Sequence, residues 1–365
     1  MKMSKKRIVV KIGSSSLTNA QGEMDVAKLT EHVQAIAALR QHNHDVILVS
    51  SGAVAAGFSK IGYGSRPVTL KGKQASAAVG QGLLIQTYME KFAEHDLKAA
   101  QLLLTRDDFT NRSRYKNAFN TIMELIERRV VPIINENDTV SVNELTFGDN
   151  DMLSALVSGI VHADELIMLT DINGIYNGNP RHQSNATKYD YLETITPEMI
   201  AAVDHTRSTV GTGGMKSKLE AAKMALSLGV SVFIGTGKGE NKLLEILNGN
   251  GDGTYIRNRS KETITTNRQW IALHSESMGE IYVDIGAEEA ILYHGASLLS
   301  AGINSVKGHF DKGDVVEVYG HNGLIGKGEV SCSEEVIVKE IEARSLKQSF
   351  QSSRVIHRDR WVRLK

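Results

Sequence analysis

Lys11 interrupts the apolar run IVVKI (8–12) just ahead of the turn GSSS (13–16). An ammonium buried without a partner costs several kcal/mol, so Lys11 must reach water, a carboxylate or a ligand anion. Lys216 and Lys218 stand in the glycine-rich stretch GTGGMKSKLEAAKMA (211–225), in the first turn of an amphipathic helix. Cations there oppose the helix dipole by about 0.3–1 kcal/mol each, and a bound phosphate would reverse that penalty. Acids and amides crowd INENDTVSVNELTFGDNDMLSA (134–155), which holds Asn135, Glu136, Asn137, Asp138, Asn143, Glu144, Asp149, Asn150 and Asp151. Such density is repulsive unless a substrate ammonium, a lysine or Mg²⁺ sits within it. VSSGAVAAG (49–57) sets Ser50, Ser51 and Gly52 at a helix start, where backbone N–H groups favour an anion and an ordinary serine cap would use the same residues. LTDINGIY (169–176) brings Thr170 and Asp171 to a strand end and turns on Asn173-Gly174.

Phosphoryl transfer needs this combination. The reacting group gains little from covalent chemistry with the protein; it needs positioning, positive charge on its oxygens and a metal on the nucleotide. Lysines on two flanks could supply the charge, and an aspartate between them could hold their geometry. The glycine-rich stretch matches neither GxxxxGK[ST] nor GxGxxG, so the argument rests on the lysines and acids together.

The elements that must position these residues follow from two alternating periods. Strand-length apolar runs fall at 8–12, 45–50, 99–105, 130–135, 165–170 and 230–235. Helical spacing relates Val26, Leu29, Val33, Ile36 and Leu39, and again Phe119, Ile122, Met123 and Ile126. Continuous apolar strands separated by helices predict an α/β fold, a mainly parallel sheet sandwiched by helices, with ligands beyond the carboxyl ends of the strands. After about residue 250 the chain turns polar and Gly-rich, as a connection does. From Gly279 onward EIYVDIGAEEAILYHGASLL, GDVVEVYGHNGLIGKGEV and EEVIVKEI suggest short strands and glycine turns, a small β-rich domain.

Composition narrows the class. The 365 residues suit two domains, and Lys+Arg and Asp+Glu both number 42, so no global field advertises a nucleic acid or membrane partner. A single cysteine, Cys332, excludes an intrachain disulfide framework and fits a reducing compartment. The start MKMSKKRIVVKIG lacks a signal-peptide apolar stretch and no window approaches a membrane span, so a soluble cytoplasmic protein is expected.

KIGSSSLT, VSSGAVAAG, INENDTV, FGDNDMLSA, LTDINGIY and GTGGMKSK, in this order, closely resemble the glutamate 5-kinase (γ-glutamyl kinase) family of the amino-acid kinase superfamily, over residues 7 to about 258. LTDxxGxY and KxG are shared across the superfamily, whereas NENDTV followed by GDND is more specific. GASLLSAGI, GHFDKGDVVEV and VIHRD resemble the PUA domain appended to many of these enzymes. The resemblance implies a kinase domain over 1–258, a PUA-like domain over 275–365, and ATP-dependent phosphorylation of the γ-carboxylate of L-glutamate, the first step of proline biosynthesis, with Mg²⁺ on the nucleotide and no protein metal site. It assigns Lys11 and Lys218 to the transferring phosphoryl group and Asp151 to their orientation. Ser51, Asp138 and Asn150 would hold glutamate, with Asn135, Glu136 and Asp149 near the same ligand. Lys11, Thr170, Asp171, Thr212, Gly213, Gly214, Met215, Lys216, Ser217 and Lys218 would hold ATP. Proline feedback inhibition and a homo-oligomer are likewise implied. Two positions depart from the family: Lys216 stands where other members often have a small residue, and Ala301 stands where proline is common.

Two other classes compete. An NAD-dependent dehydrogenase would need GxGxxG after the first strand, where this chain has KIGSSS. An RNA-binding protein is suggested by the PUA-like tail, but 275–365 holds fourteen acids against eleven Lys+Arg, which argues against a strong phosphate-binding surface. Only the last 22 residues are basic, and RNA stays the minor expectation.

Overall fold

Apolar strands need cover on both faces, and here they have it: Ile8, Val9, Val10 and Ile12 are wholly buried, as are Ile47, Leu48 and Val49. The computed structural model describes residues 4–140, 150–178, 186–203, 214–257, 271, 277–346 and 352–363. The chain divides into two units, Met1–Asp108 with Tyr115–Thr263, and Phe109–Arg114 with Ile264–Lys365.

The strands through residue 257 are β1 (Arg7–Ile12), β2 (Asp45–Ser50), β3 (Lys98–Leu104), β4 (Val130–Glu136), β5 (Glu165–Leu169), β6 (Ile175–Tyr176), β7 (Lys188–Tyr189), β8 (Tyr191–Leu192), β9 (Ser231–Gly235) and β10 (Gly253–Ile256). The helices are α1 (Val26–Gln41), α2 (Ala53–Gly57), α3 (Leu70–Ala93), α4 (Asp107–Thr110), α5 (Arg112–Glu127), α6 (Asn150–Ile160), α7 (Pro197–Ala202), α8 (Met215–Ser227) and α9 (Lys242–Leu247). Eight strands form one sheet in the order β3-β4-β2-β1-β5-β9-β10-β8, and β6 pairs with β7 apart from it. From β3 to β9 every neighbour is parallel; β10 alone runs antiparallel to β9. The expected mainly parallel α/β sheet is therefore present.

β1 lies between β2 and β5, with Lys11 level with Val49 on one side and Met168 on the other. The chain leaves β1 toward β2 and later returns on the opposite side, so a crevice opens at the carboxyl end of β1, as expected where strand order reverses. Entry into α2 depends on Gly52, whose φ of 109° is a conformation that costs a glycine nothing and a side chain 1–2 kcal/mol or so. α1 is capped by Asp25, whose carboxylate accepts from the N–H groups of Ala27 and Lys28.

In the second unit β11 (Gly279–Val283), β12 (Leu298–Leu299), β13 (Ile303–Gly308), β14 (Val315–Gly320), β15 (Gly323–Val330) and β16 (Arg354–Arg363) make a six-stranded sheet in the order β12-β16-β15-β14-β11-β13. Its core gathers Ile281, Val316, Val318, Val330, Val355 and Ile356. The expectation of short strands fails at two places. EEVIVKEI belongs to a helix, Glu334–Ser345, and AEEAILY to another, Ile285–Tyr293. The β-branched run VIV suggests a strand locally, but Ile337 and Ile341 share a helix face and both meet the core. Asp284 caps the other helix by accepting from Ala287 N–H. Among the described residues no helix is long and apolar enough to cross a membrane.

Candidate active site

The carboxyl end of β1 delivers Lys11 into the crevice, where its side chain is 5 % exposed. Gly13 keeps the approach to that ammonium open, since a Cβ there would stand 3.3 Å from Lys11 Nζ. Asp151 lies in the first turn of α6, where the helix dipole favours a carboxylate, and it is wholly buried. Its Oδ1 pairs with Lys11 Nζ. Its Oδ2 takes Lys218 Nζ at 3.0 Å and the Ser217 hydroxyl at 3.0 Å. Lys218 comes from the first turn of α8, capped by Gly214, and its side chain is 11 % exposed. Two lysines around one carboxylate leave a formal unit of positive charge that water barely reaches. Positive charge gathered in a low-dielectric pocket favours an anion.

A second set of polar groups joins three elements beside this trio. The Asn150 side-chain N–H₂ lies 2.7 Å from Asn135 Oδ1, 2.8 Å from the Ser50 carbonyl and 3.0 Å from Ser51 Oγ. Asn135 in turn donates to Gln81 Oε1 at 2.7 Å, and the Ser50 and Tyr88 hydroxyls meet at 2.9 Å. The ends of β2 and β4 and the start of α6 are thereby fixed to one another and to α3. Asp138, just past β4, has its carboxyl pushed up to about 6, first by burial and then by the neighbouring charge of Glu136, against the pull of the Arg66 guanidinium. Below the turn that follows β1, His32 is buried with Nε2 3.2 Å from the Ser16 carbonyl, and burial foremost lowers its pKa to about 4. It is therefore neutral near pH 7 and supports the turn as an N–H donor.

The structure thus brings together Lys11, Asp151, Ser217 and Lys218, and separately Ser51 with Asn135 and Asn150. Thr170 and Asp171 stand at the end of β5, where the Thr170 hydroxyl donates to Asp171 Oδ1 at 3.1 Å and the Thr170 N–H donates to Gly235 O. Met215 and Lys216 occupy the first turn of α8, half-buried. Thr212, Gly213, Asp149, Asn143 and Glu144 lie outside the described residues. Gln81, Tyr88, His32 and Arg66 were not singled out by sequence. Gln81 does carry a signal, a long amide in the small-residue stretch AAVGQG, on the buried face of α3.

Residues 6–236 match the model of the amino acid kinase family, and residues 279–347 match the PUA domain. The glutamate 5-kinase of Oceanobacillus iheyensis is 60% identical over 362 residues, covering 99% of this chain and 97% of that protein. Glutamate 5-kinase 1 of Bacillus subtilis is 59% identical over 364 residues, covering 100% of both. Among solved structures, carbamate kinase from Giardia lamblia bound to AMP-PNP superposes with a TM-score of 0.51 at 16% identity, covering 70% of this chain and 99% of that one, a likeness of fold.

Proposed function

From a chain that belongs to the glutamate 5-kinases of the amino acid kinase family, we infer ATP-dependent phosphorylation of L-glutamate on its γ-carboxylate, the first step of proline biosynthesis. A γ-carboxylate oxygen attacks the γ-phosphorus, the bond to the β,γ-bridging oxygen breaks, and L-glutamyl 5-phosphate and ADP separate. The nucleophile is already anionic near pH 7, so no general base is needed and the demand on the protein is charge and position. The observation that carries this reading is the nearly sealed pair of ammonium groups, Lys11 and Lys218, that share the carboxylate of Asp151. In the transition state the equatorial phosphoryl oxygens would accept from both ammonium groups, while Asp151 and Ser217 hold Lys218 in place.

On the acceptor side, Ser51 and Asn150 would bind the substrate carboxylates, and Asp138, with Glu136 beside it, its ammonium. Thr170, Asp171 and the segment 212–218 would hold ATP. Mg²⁺ keeps several waters and binds through one or two carboxylates plus phosphates. The ion would arrive on the triphosphate and neutralise its charge. The proposal further takes 1–258 as the catalytic domain and 275–365 as the PUA-like domain, with proline as a feedback inhibitor, a homo-oligomeric assembly and a cytoplasmic location. The test is ATP consumption with L-glutamate and hydroxylamine, which traps an acyl phosphate as γ-glutamyl hydroxamate. Formation with glutamate but not with carbamate or UMP as acceptor supports the reading, and ATP turnover without hydroxamate overturns it.

A further inference from the structure

At the other end of the sheet β1 and β2 begin with Arg7 opposite Asp45. A cavity of about 380 Å³ opens beside them, lined by Lys5, Arg7, Arg40 and Arg129 together with Asp45 and Glu127. The only buried acid of the six, Asp45, takes Lys5 Nζ at 3.0 Å, Arg40 Nη1 at 3.5 Å and Arg7 Nη2 at 3.9 Å. One carboxylate therefore serves three cations. Arg129 forms no ion pair among the described residues and holds a left-handed backbone, φ 61°, where a helix end normally places glycine. Glu127 is exposed, so its charge is screened.

Both central guanidiniums are clamped. Arg7 donates to the Val161 carbonyl at 2.6 Å and Arg40 to the His44 carbonyl at 2.8 Å. Yet the Nε atoms of both are buried with no acceptor among the described residues. A dry N–H without an acceptor forfeits its hydration and gains nothing in return. The ends of α1 and α5 explain why Arg40 and Arg129 are cationic. They do not explain adding Lys5 and Arg7, nor two guanidiniums each left with a dry, unmatched donor.

We propose that this cavity binds a small dianionic phosphoryl group at a second site of the chain, separate from the crevice that holds Lys11. The formal charge of the six charged lining groups is two positive, which matches a dianion. Tetrahedral oxygens can meet guanidinium and ammonium donors arriving from several directions, which a planar carboxylate with two oxygens cannot. Arg7 and Lys11 are four strand residues apart, roughly 13 Å at the strand rise, so one phosphate cannot serve both. The cavity also exceeds the needs of a bare phosphate ion, leaving room for a small ester.

Calorimetric titration of the full chain, with AMP-PNP, Mg²⁺ and glutamate filling the kinase crevice, tests this with inorganic phosphate and glycerol 3-phosphate as probes. One saturable site per chain is expected at low salt; tighter binding of the ester identifies an organic phosphate, and equal binding the free ion. Arg40→Gln should weaken the probe about tenfold, the loss of one charge-assisted bond. Lys5→Ala, at a largely exposed side chain that the fold does not need, should weaken it about threefold. Lys60→Ala, exposed and elsewhere, should change nothing. Absence of saturable binding, or equal affinity in the unaltered chain and Lys5→Ala, overturns the proposal even if Arg40→Gln fails to fold.

Discussion

Two buried carboxylates in this chain each sit between two cations, and they differ in where the surplus charge can go. In the second unit Glu329 takes Arg112 and Arg360, each at 2.6 Å and both on Oε1, while Oε2 is buried without a hydrogen-bond partner among the described residues. Those arginines are 44 % and 42 % exposed, so their delocalised charge drains into water. Asp151 divides its two oxygens between lysines that are almost sealed. A buried ion pair is by itself weak evidence for either stability or chemistry. What separates the two clusters is compact charge held out of solvent, where an anionic ligand is favoured.

Removing each carboxylate is the sharpest way to break this comparison. Asp151→Ala leaves two ammonium groups facing one another in a dry pocket, and the unfolding free energy should fall by about 3–5 kcal/mol, with activity lost as well. Glu329→Gln should cost only about 1–3 kcal/mol, since its arginines rehydrate, and should leave turnover unchanged. Urea unfolding of both variants measures the difference, and equal losses would contradict it. Lys11→Ala and Lys218→Ala should each reduce turnover about 10²- to 10³-fold with the fold intact, as loss of an oxyanion donor does.

Smaller effects fall on the acceptor side. Asp138 has a folded pKa of about 6 against an ordinary 3.8, so it loses its charge as pH falls through 6. The KM for glutamate should then rise by up to about tenfold per pH unit below 6, and Asp138→Asn should flatten that rise. Stability moves the opposite way. A carboxyl whose pKa is raised by folding binds its proton more tightly in the folded chain, so its contribution to stability grows as pH falls from 6 toward 3.8. Ser51→Ala should raise the KM for glutamate more than that for ATP, by about threefold to tenfold if a single hydrogen bond is lost.

Much of this is legible in the sequence. The buried runs of β1, β2, β4, β5 and β9 and the spacing of α1 and α5 carry strong single periods, because each element is covered on defined faces. The ion pairs of Lys11 and Lys218 with Asp151 were not legible from periodicity. They span 140 and 67 residues; the chemistry of phosphoryl transfer asks for an aspartate between two lysines, and the resemblance of motif to motif is what picks out Asp151. Gln81 and Tyr88 escaped because a single polar atom on an otherwise apolar helix face leaves the period intact. Arg66 sits among Gly, Pro and Ser residues, where period carries no information. The second-unit helix Glu334–Ser345 has a β-branched centre that looks like a strand until the i, i+4 pair Ile337 and Ile341 is placed on the core.

The central claim is that the sealed charge of Lys11 and Lys218 is complementary to the phosphoryl group in transit. Aluminium fluoride with ADP, Mg²⁺ and glutamate mimics that group, and its inhibition constant can be measured for the unaltered chain, Lys11→Ala and Lys218→Ala. Complementarity to the transition state predicts that each variant loses affinity for the mimic by the same factor as it loses kcat/KM. Turnover falling a hundredfold or so while the mimic binds undiminished would contradict the account.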